Sequence, residues 1–254
     1  MKKLFLTASA LVAFATIDVA SAADMALKAP PPAPVYSWTG WYAGLNIGGS
    51  FGKARDTETY GAAAVPFIPA STSADLDGVI GGGQIGYNWQ SGSALFGLEA
   101  DIQGSSERSS AYSSNTVIFF GTLPTPPATG TLNDVEKLPW FGTVRGRIGL
   151  LASPTWLFYV TGGLAYGGIK STETLTVAGL GTVTGFSTTR AGWTIGGGVE
   201  GVISGPWTAK LEYLYMDFGT FNNTFPGTAP FAPVNLSTHV TDNIVRVGLN
   251  YHFH

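Results

Sequence analysis

Eight ionisable side chains, Glu99, Asp101, Arg145, Arg147, Glu200, Lys210, Glu212 and Arg246, stand inside otherwise apolar, glycine-rich stretches of this 254-residue chain. Three kinds of chemistry could use them. Glu99 and Asp101, two residues apart, have the types of a general acid/base pair; the whole set could line an ion pathway; or four acids and four bases could neutralise one another. The acid/base reading lacks a companion, because no nucleophile or histidine falls near the pair in the pattern and both carboxylates have basic neighbours. No catalytic residue is assigned. His239, His252 and His254 have no spacing for a metal, and the last two share one face of a terminal strand, where they read as interface residues. Gly196-Gly197-Gly198 leads into no helix and no Gly-Lys-Ser/Thr follows, so it is not a phosphate cradle. Cysteine is absent, which removes disulfides, thiol chemistry and thiolate metal sites. No cofactor or metal is assigned.

The elements that must position these charges are strands. From Ile244 to Phe253 every second residue (Val245, Val247, Leu249, Tyr251, Phe253) is apolar, and Arg246, Gly248, Asn250 and His252 alternate with them. This period of two belongs to a strand whose faces meet different solvents, and its length suits a tilted crossing of a bilayer. The same alternation recurs from Trp41 to Phe51 and over residues 78–89, 94–105, 138–150, 156–169, 191–203 and 207–217. Long connections (54–77, 106–137, 170–190, 218–243) alternate with tight ones (90–93, 152–155, 204–206). That rhythm predicts an all-β fold, an eight-stranded antiparallel up-and-down transmembrane β-barrel with short periplasmic turns, long outer loops and both chain ends on the periplasmic side. In these frames all eight charges face inward. A lipid-facing Arg or Lys at the midplane would cost ~2–4 kcal/mol. The interior of eight strands is just wide enough for side chains to fill, so mutual neutralisation is a simpler outcome than an ion pathway. The acids of the third and seventh strands should pair with the guanidiniums of the fourth and eighth. Trp38, Trp41, Trp89, Trp156 and Trp207 fall at periplasmic strand ends, Trp140 and Trp193 at outer ones, and with Tyr251 and Phe253 they form the expected interface aromatics.

Composition supplies the address. Residues 1–22 carry a Lys2-Lys3 start, an apolar stretch and Ala20-Ser21-Ala22, a signal peptide cut between Ala22 and Ala23. Two Lys and one Asp leave with it, so 11 basic and 15 acidic side chains remain, a formal charge of −4 that excludes a nucleic-acid partner. Residues 23–37, with Pro30-Pro31-Pro32, read as an extended periplasmic tether, either a plain leader or a contact with peptidoglycan. Residues 38–254 form the barrel domain. Only 11% of residues are charged, against about a quarter in soluble domains, as a surface exposed to lipid requires. A soluble lipocalin-type barrel would have the opposite polarity, greasy within and polar without.

The stretches Ala33 to Gly44, Gly86-Tyr87-Asn88-Trp89, Gly97-Leu98-Glu99-Ala100-Asp101, Val144 to Gly149, Gly192 to Glu200, Lys210-Leu211-Glu212-Tyr213 and Val245 to Phe253 together resemble the Omp25/Omp31 family of alphaproteobacterial outer-membrane proteins, known as outer membrane immunogenic or porin family proteins. The resemblance covers the mature chain. It implies the outer membrane of a Gram-negative bacterium, contact with membrane lipid and lipopolysaccharide, and a final strand read by the barrel-insertion machinery. Such barrels usually end in phenylalanine, whereas this chain adds His254. Three roles follow as expectations for this surface-exposed, non-enzymatic protein: a structural envelope component with a charge-plugged lumen, a small porin, or a surface protein that binds haem or a host through apolar outer loops. In those loops, residues 116–123 and 174–186 are β-prone and should extend as hairpins, the second turning at Gly179 to Gly181. Phe67, Phe119, Phe120, Phe186, Phe221, Phe225 and Phe231 could cluster there.

Overall fold

The computed structural model describes residues 36–60, 71–109, 112–118, 128–177, 180–225 and 234–253. The signal segment with Ala22 and Ala23, almost all of the tether, His254 and the tips of several outer connections lie outside the described residues, as do Phe67, Phe119, Phe120 and Phe231. The described chain is all strand: β1 (Gly40–Tyr60), β2 (Ser71–Ser91), β3 (Ala94–Ser109), β4 (Tyr112–Ile118), β5 (Ala128–Ser153), β6 (Trp156–Val177), β7 (Leu180–Ser204), β8 (Trp207–Phe225) and β9 (Val234–Phe253). Antiparallel pairing of β3 with β5 and of β1 with β9 closes a ring of eight, so the strands have no free edge where all eight are paired. The ninth strand, β4, stands outside that ring and pairs with the far end of β5, from Ala128 to Asp134, beyond the reach of β3.

Three two-residue turns join the strands at one end of the barrel, at 92–93, 154–155 and 205–206. Gly92 and Gly205 open two of them with φ of 61° and 52°, the left-handed region that a side chain would make costly. At the other end the strands run much further than an eleven-residue crossing needs. The long connections expected at 54–77, 106–137, 170–190 and 218–243 are largely continuations of the strands. β6 and β7 pair up to Val177 with Leu180, so Leu180 and Gly181 of the turn expected at Gly179 to Gly181 are paired strand instead, and Gly179 lies outside the described residues. Residues 112–118 form β4, so the expected hairpin at 116–123 begins earlier, and the remainder of it lies outside the described residues.

Polarity inverts along β1 and β2. From Trp41 to Phe51 the outward residues are apolar and the inward ones polar; beyond Phe51 the outward residues are Lys53 and Arg55 and inward Ala54 is fully buried. On β2, outward Val79 gives way to outward Asp77 and Asp75 while Leu76 and Ile80 point in. The exposed apolar belt (Leu45, Ile47, Ile85, Leu98, Ile102, Val144, Ile148, Val160, Leu164, Ile195, Leu211 and Val247 among others) is therefore the part that meets lipid, in a band about 25 Å tall. The extension above it behaves like a water-soluble barrel. Ala54, Leu76, Ile80, Leu138, Phe141, Ala165, Ile169, Leu214, Met216, Phe218, Phe221, Val240 and Ile244 fill it as one apolar core. Phe186 and Phe221 meet edge to face there, 6.4 Å apart, so these two rings point inward and do not form an exposed patch.

Candidate functional site

The alternation that turns Leu98, Ile148, Leu211 and Val247 to lipid turns Glu99, Arg147, Lys210 and Arg246 into the barrel. All eight charged residues are inward and no more than 4% exposed. Arg145 on β5 is the hub. Its Nη2 donates to Glu99 Oε1 and to Asp101 Oδ2 (3.0 Å), its Nη1 to Glu212 Oε1 (3.1 Å), and its Nε to Thr143 Oγ1 (2.9 Å). Arg246 on β9 donates from Nε to Glu212 Oε2 (2.7 Å) and from Nη2 to Asp101 Oδ2 (2.9 Å). Lys210 Nζ bridges both oxygens of Glu99 at 3.1 Å. These contacts join acids of β3 and β8 to guanidiniums of β5 and β9, and several cross the lumen instead of linking adjacent strands.

Arg147 stands slightly apart, toward the turns. It donates to Glu200 Oε2 (3.1 Å) and Asn88 Oδ1 (2.9 Å), and its guanidinium lies over the rings of Tyr42 (4.6 Å) and Tyr159 (5.3 Å). Glu200 also accepts from Thr208 Oγ1 (2.6 Å) and Asn250 Nδ2 (2.7 Å). Tyr42 donates to Glu99 (2.7 Å) and Tyr159 to Glu212 (3.0 Å). Four positive and four negative groups thus form one ion-paired set with no net charge, in which Arg147 Nη1, 4.0 Å from Glu99 Oε2, links the Arg147–Glu200 pair to the rest. That is the condition under which buried ions are tolerated at all, since each unpaired one would cost several kcal/mol. Chemically, the carboxylates of Glu99 and Asp101 are occupied by cations and hydroxyls and are not poised to take a proton from a substrate.

Sequence reasoning missed Tyr42, Tyr159, Asn88, Thr143, Thr208 and Asn250. Their signal was available, because each sits on the same inward frame as the charges. Two assignments need correction. Trp38 is not an interface residue: it is fully buried, donates from Nε1 to the Pro154 carbonyl (3.0 Å), and packs with Tyr36, Leu95, Leu157 and Tyr159 across the periplasmic mouth. His252 is not an interface residue either. It lies inward, 1% exposed, stacked on Tyr42 at 5.3 Å with Nε2 at 3.5 Å from Glu200. Trp38 is buried because residues 36–39 fold back under the barrel, where a ring fills the opening; His252 points inward by the alternation of β9, on the same frame as Arg246 and Asn250. Trp41, Trp89, Trp140, Trp156, Trp193, Trp207, Tyr251 and Phe253 lie on the outer surface, between 36% and 56% exposed, at the two ends of the apolar belt.

Above the belt, toward the outer end, four further acids are buried: Asp56, Glu107, Glu136 and Asp242. Glu107 accepts from Ser105 Oγ at 2.9 Å and Asp242 accepts from Ser50 Oγ. Burial, followed by the neighbouring Asp242 charge, pushes the Glu107 carboxyl up to about 8; burial pushes Asp242 up to about 6. No group of three or more His, Cys, Asp or Glu among the described residues could hold a metal ion.

Residues 10–253 match the family model for the outer membrane protein beta-barrel domain. The chain is 39% identical over its whole length to the 31 kDa outer-membrane immunogenic protein of Brucella melitensis biotype 1, all of which it covers. It is 32% identical to the 22 kDa outer membrane protein of Rhizobium leguminosarum bv. viciae, over 74% of this chain and 68% of that one. Among solved structures it resembles the outer membrane protease OmpT of Escherichia coli, with a TM-score of 0.51 over 87% of this chain and 99% of that one; at 9% identity this is a likeness of fold alone.

Proposed function

The chain belongs to the outer membrane protein β-barrel domain family, and from that premise we propose that it is a closed envelope component that presents its outer strand extensions at the cell surface. Like its Omp25/Omp31-type relatives it is an outer-membrane protein of a Gram-negative bacterium. The observation that carries the proposal is the filling of the lumen at three successive levels. Trp38 and its aromatic neighbours occupy the periplasmic mouth, the neutral ion network occupies the middle, and the apolar core occupies the outer extension. A solute would have to break ion pairs and then cross an apolar plug. The paired state of Glu99 and Asp101 likewise favours a role without catalysis. The outward Val245, Val247, Leu249, Tyr251 and Phe253 of β9 suit engagement by the barrel-insertion machinery.

Liposome swelling tests the proposal. Vesicles carrying the folded protein should swell in isosmotic small sugars no faster than protein-free vesicles. Swelling that scales with protein content would mean that a porin role replaces the closed barrel.

A further inference from the structure

The outer extension carries a row of cations on its outside. Arg108 on β3, Lys137 on β5 and Lys170 on β6 are each exposed between two buried neighbours, so all three side chains point outward. They are also in register: Arg108 is directly opposite Lys137, and Lys137 directly opposite Lys170. Directly opposed side chains lie about 5 Å apart at Cβ, where like charges destabilise a sheet. Among the described residues none of the three has an ion pair, and the nearest acid in the row is Asp77, opposite Arg108 on the far side from Lys137. The opposite wall differs, since outward Asp217 there faces His239 at 3.1 Å.

Position along the strands supplies the second observation. The row lies just beyond Trp140, the outer-edge tryptophan, which pairs with Gly104 and Gly168. A Cβ on Gly168 would stand 2.5 Å from Trp140 Nε1, so glycine lets the indole lie flat against the wall directly below Lys170. Leu164 and Val144 continue the lipid face underneath. Apolar and aromatic wall below, three cations in a row above with a single acid, Asp77, at the far end: this is a surface for a molecule with acyl chains and an anionic head.

We propose that Arg108, Lys137 and Lys170 form a docking site for the phosphate-bearing headgroup of an outer-leaflet glycolipid, its acyl chains lying along Trp140 and Leu164. Arg108 offers a forked donor for a phosphate and the two lysines offer point charges. The inference rests on the membrane placement of the barrel, not on its closed lumen, so a conducting barrel that still holds lipid would overturn only the latter.

The test is native mass spectrometry of detergent-folded full chain titrated with bisphosphorylated lipid A. The unaltered protein should retain it. The triple variant Arg108→Gln, Lys137→Gln, Lys170→Gln should bind about 100-fold more weakly, while Lys137→Arg with Lys170→Arg, which keeps the charge, should bind like the unaltered chain. Altered gel mobility before boiling checks that each variant is folded. Dephosphorylated lipid A should bind as weakly as the triple variant binds the intact lipid, and inorganic phosphate at equal concentration should not displace the lipid. Retention of lipid A by the folded triple variant, or its full displacement by inorganic phosphate, would overturn the proposal.

Discussion

Arg145 Nη1 and Glu212 Oε1 meet at 3.1 Å although their strands, β5 and β8, are separated by β6 and β7 around the ring. An ion pair of this reach is a strut across the lumen. Arg246 and Asp101 make a second, at 2.9 Å, between β9 and β3 with β1 and β2 between them.

The struts should matter to stability more than any surface pair. Replacing Arg145 by Met leaves Glu99, Asp101 and Glu212 short of a cation in a site closed to water, at a cost of about 3–5 kcal/mol. The check is the urea midpoint of the detergent-folded barrel, read by gel mobility. Adding Glu212→Gln to that variant should recover part of the loss, because one stranded charge is then removed.

Trp38 should behave as a core residue despite its place beside a proline-rich leader. Trp38→Ala empties a fully buried site and forfeits the indole hydrogen bond to Pro154, for a loss of roughly 3 kcal/mol. An exposed girdle tryptophan such as Trp156 should cost much less on the same assay.

The eight-strand ring and its inward charges were legible because one face of every crossing is apolar without interruption, as in Val245 to Phe253. The apolar core of the outer extension was not, although its signal was present. Leu76, Ile80 and Leu138 keep the period of two, but outward Asp75, Asp77 and Lys137 beside them mean that water has replaced lipid outside. Alternation shows which residues share a face; only the reversal of polarity along the strand shows where the membrane stops. Trp38 was unreadable for another reason: a tryptophan two residues before a strand suits an interface or a plug equally, and the fold-back that decides between them is tertiary.

Stability should fall as pH rises through the neutral range, and Glu107 should cause much of the fall. Its carboxyl, held up to about 8 by burial and by Asp242, stays protonated in the folded barrel where an unfolded chain would have lost the proton. The folded state therefore binds more protons, and this contribution is whole below about pH 4. It is lost on the way up, through about 6 for Asp242 and about 8 for Glu107. Glu107→Gln should flatten the decline of the urea midpoint between about pH 4 and pH 8. An identical slope in the variant would assign the pH dependence to other groups.

Planar-bilayer recording tests the closed lumen most directly. Folded, heat-modifiable protein inserted into a bilayer should give no stable unitary current steps in molar salt at voltages that leave the bare membrane intact. Reproducible steps of one size, present with the folded barrel and absent after boiling, would contradict the lumen filled by Trp38, the Arg145 network and the apolar core.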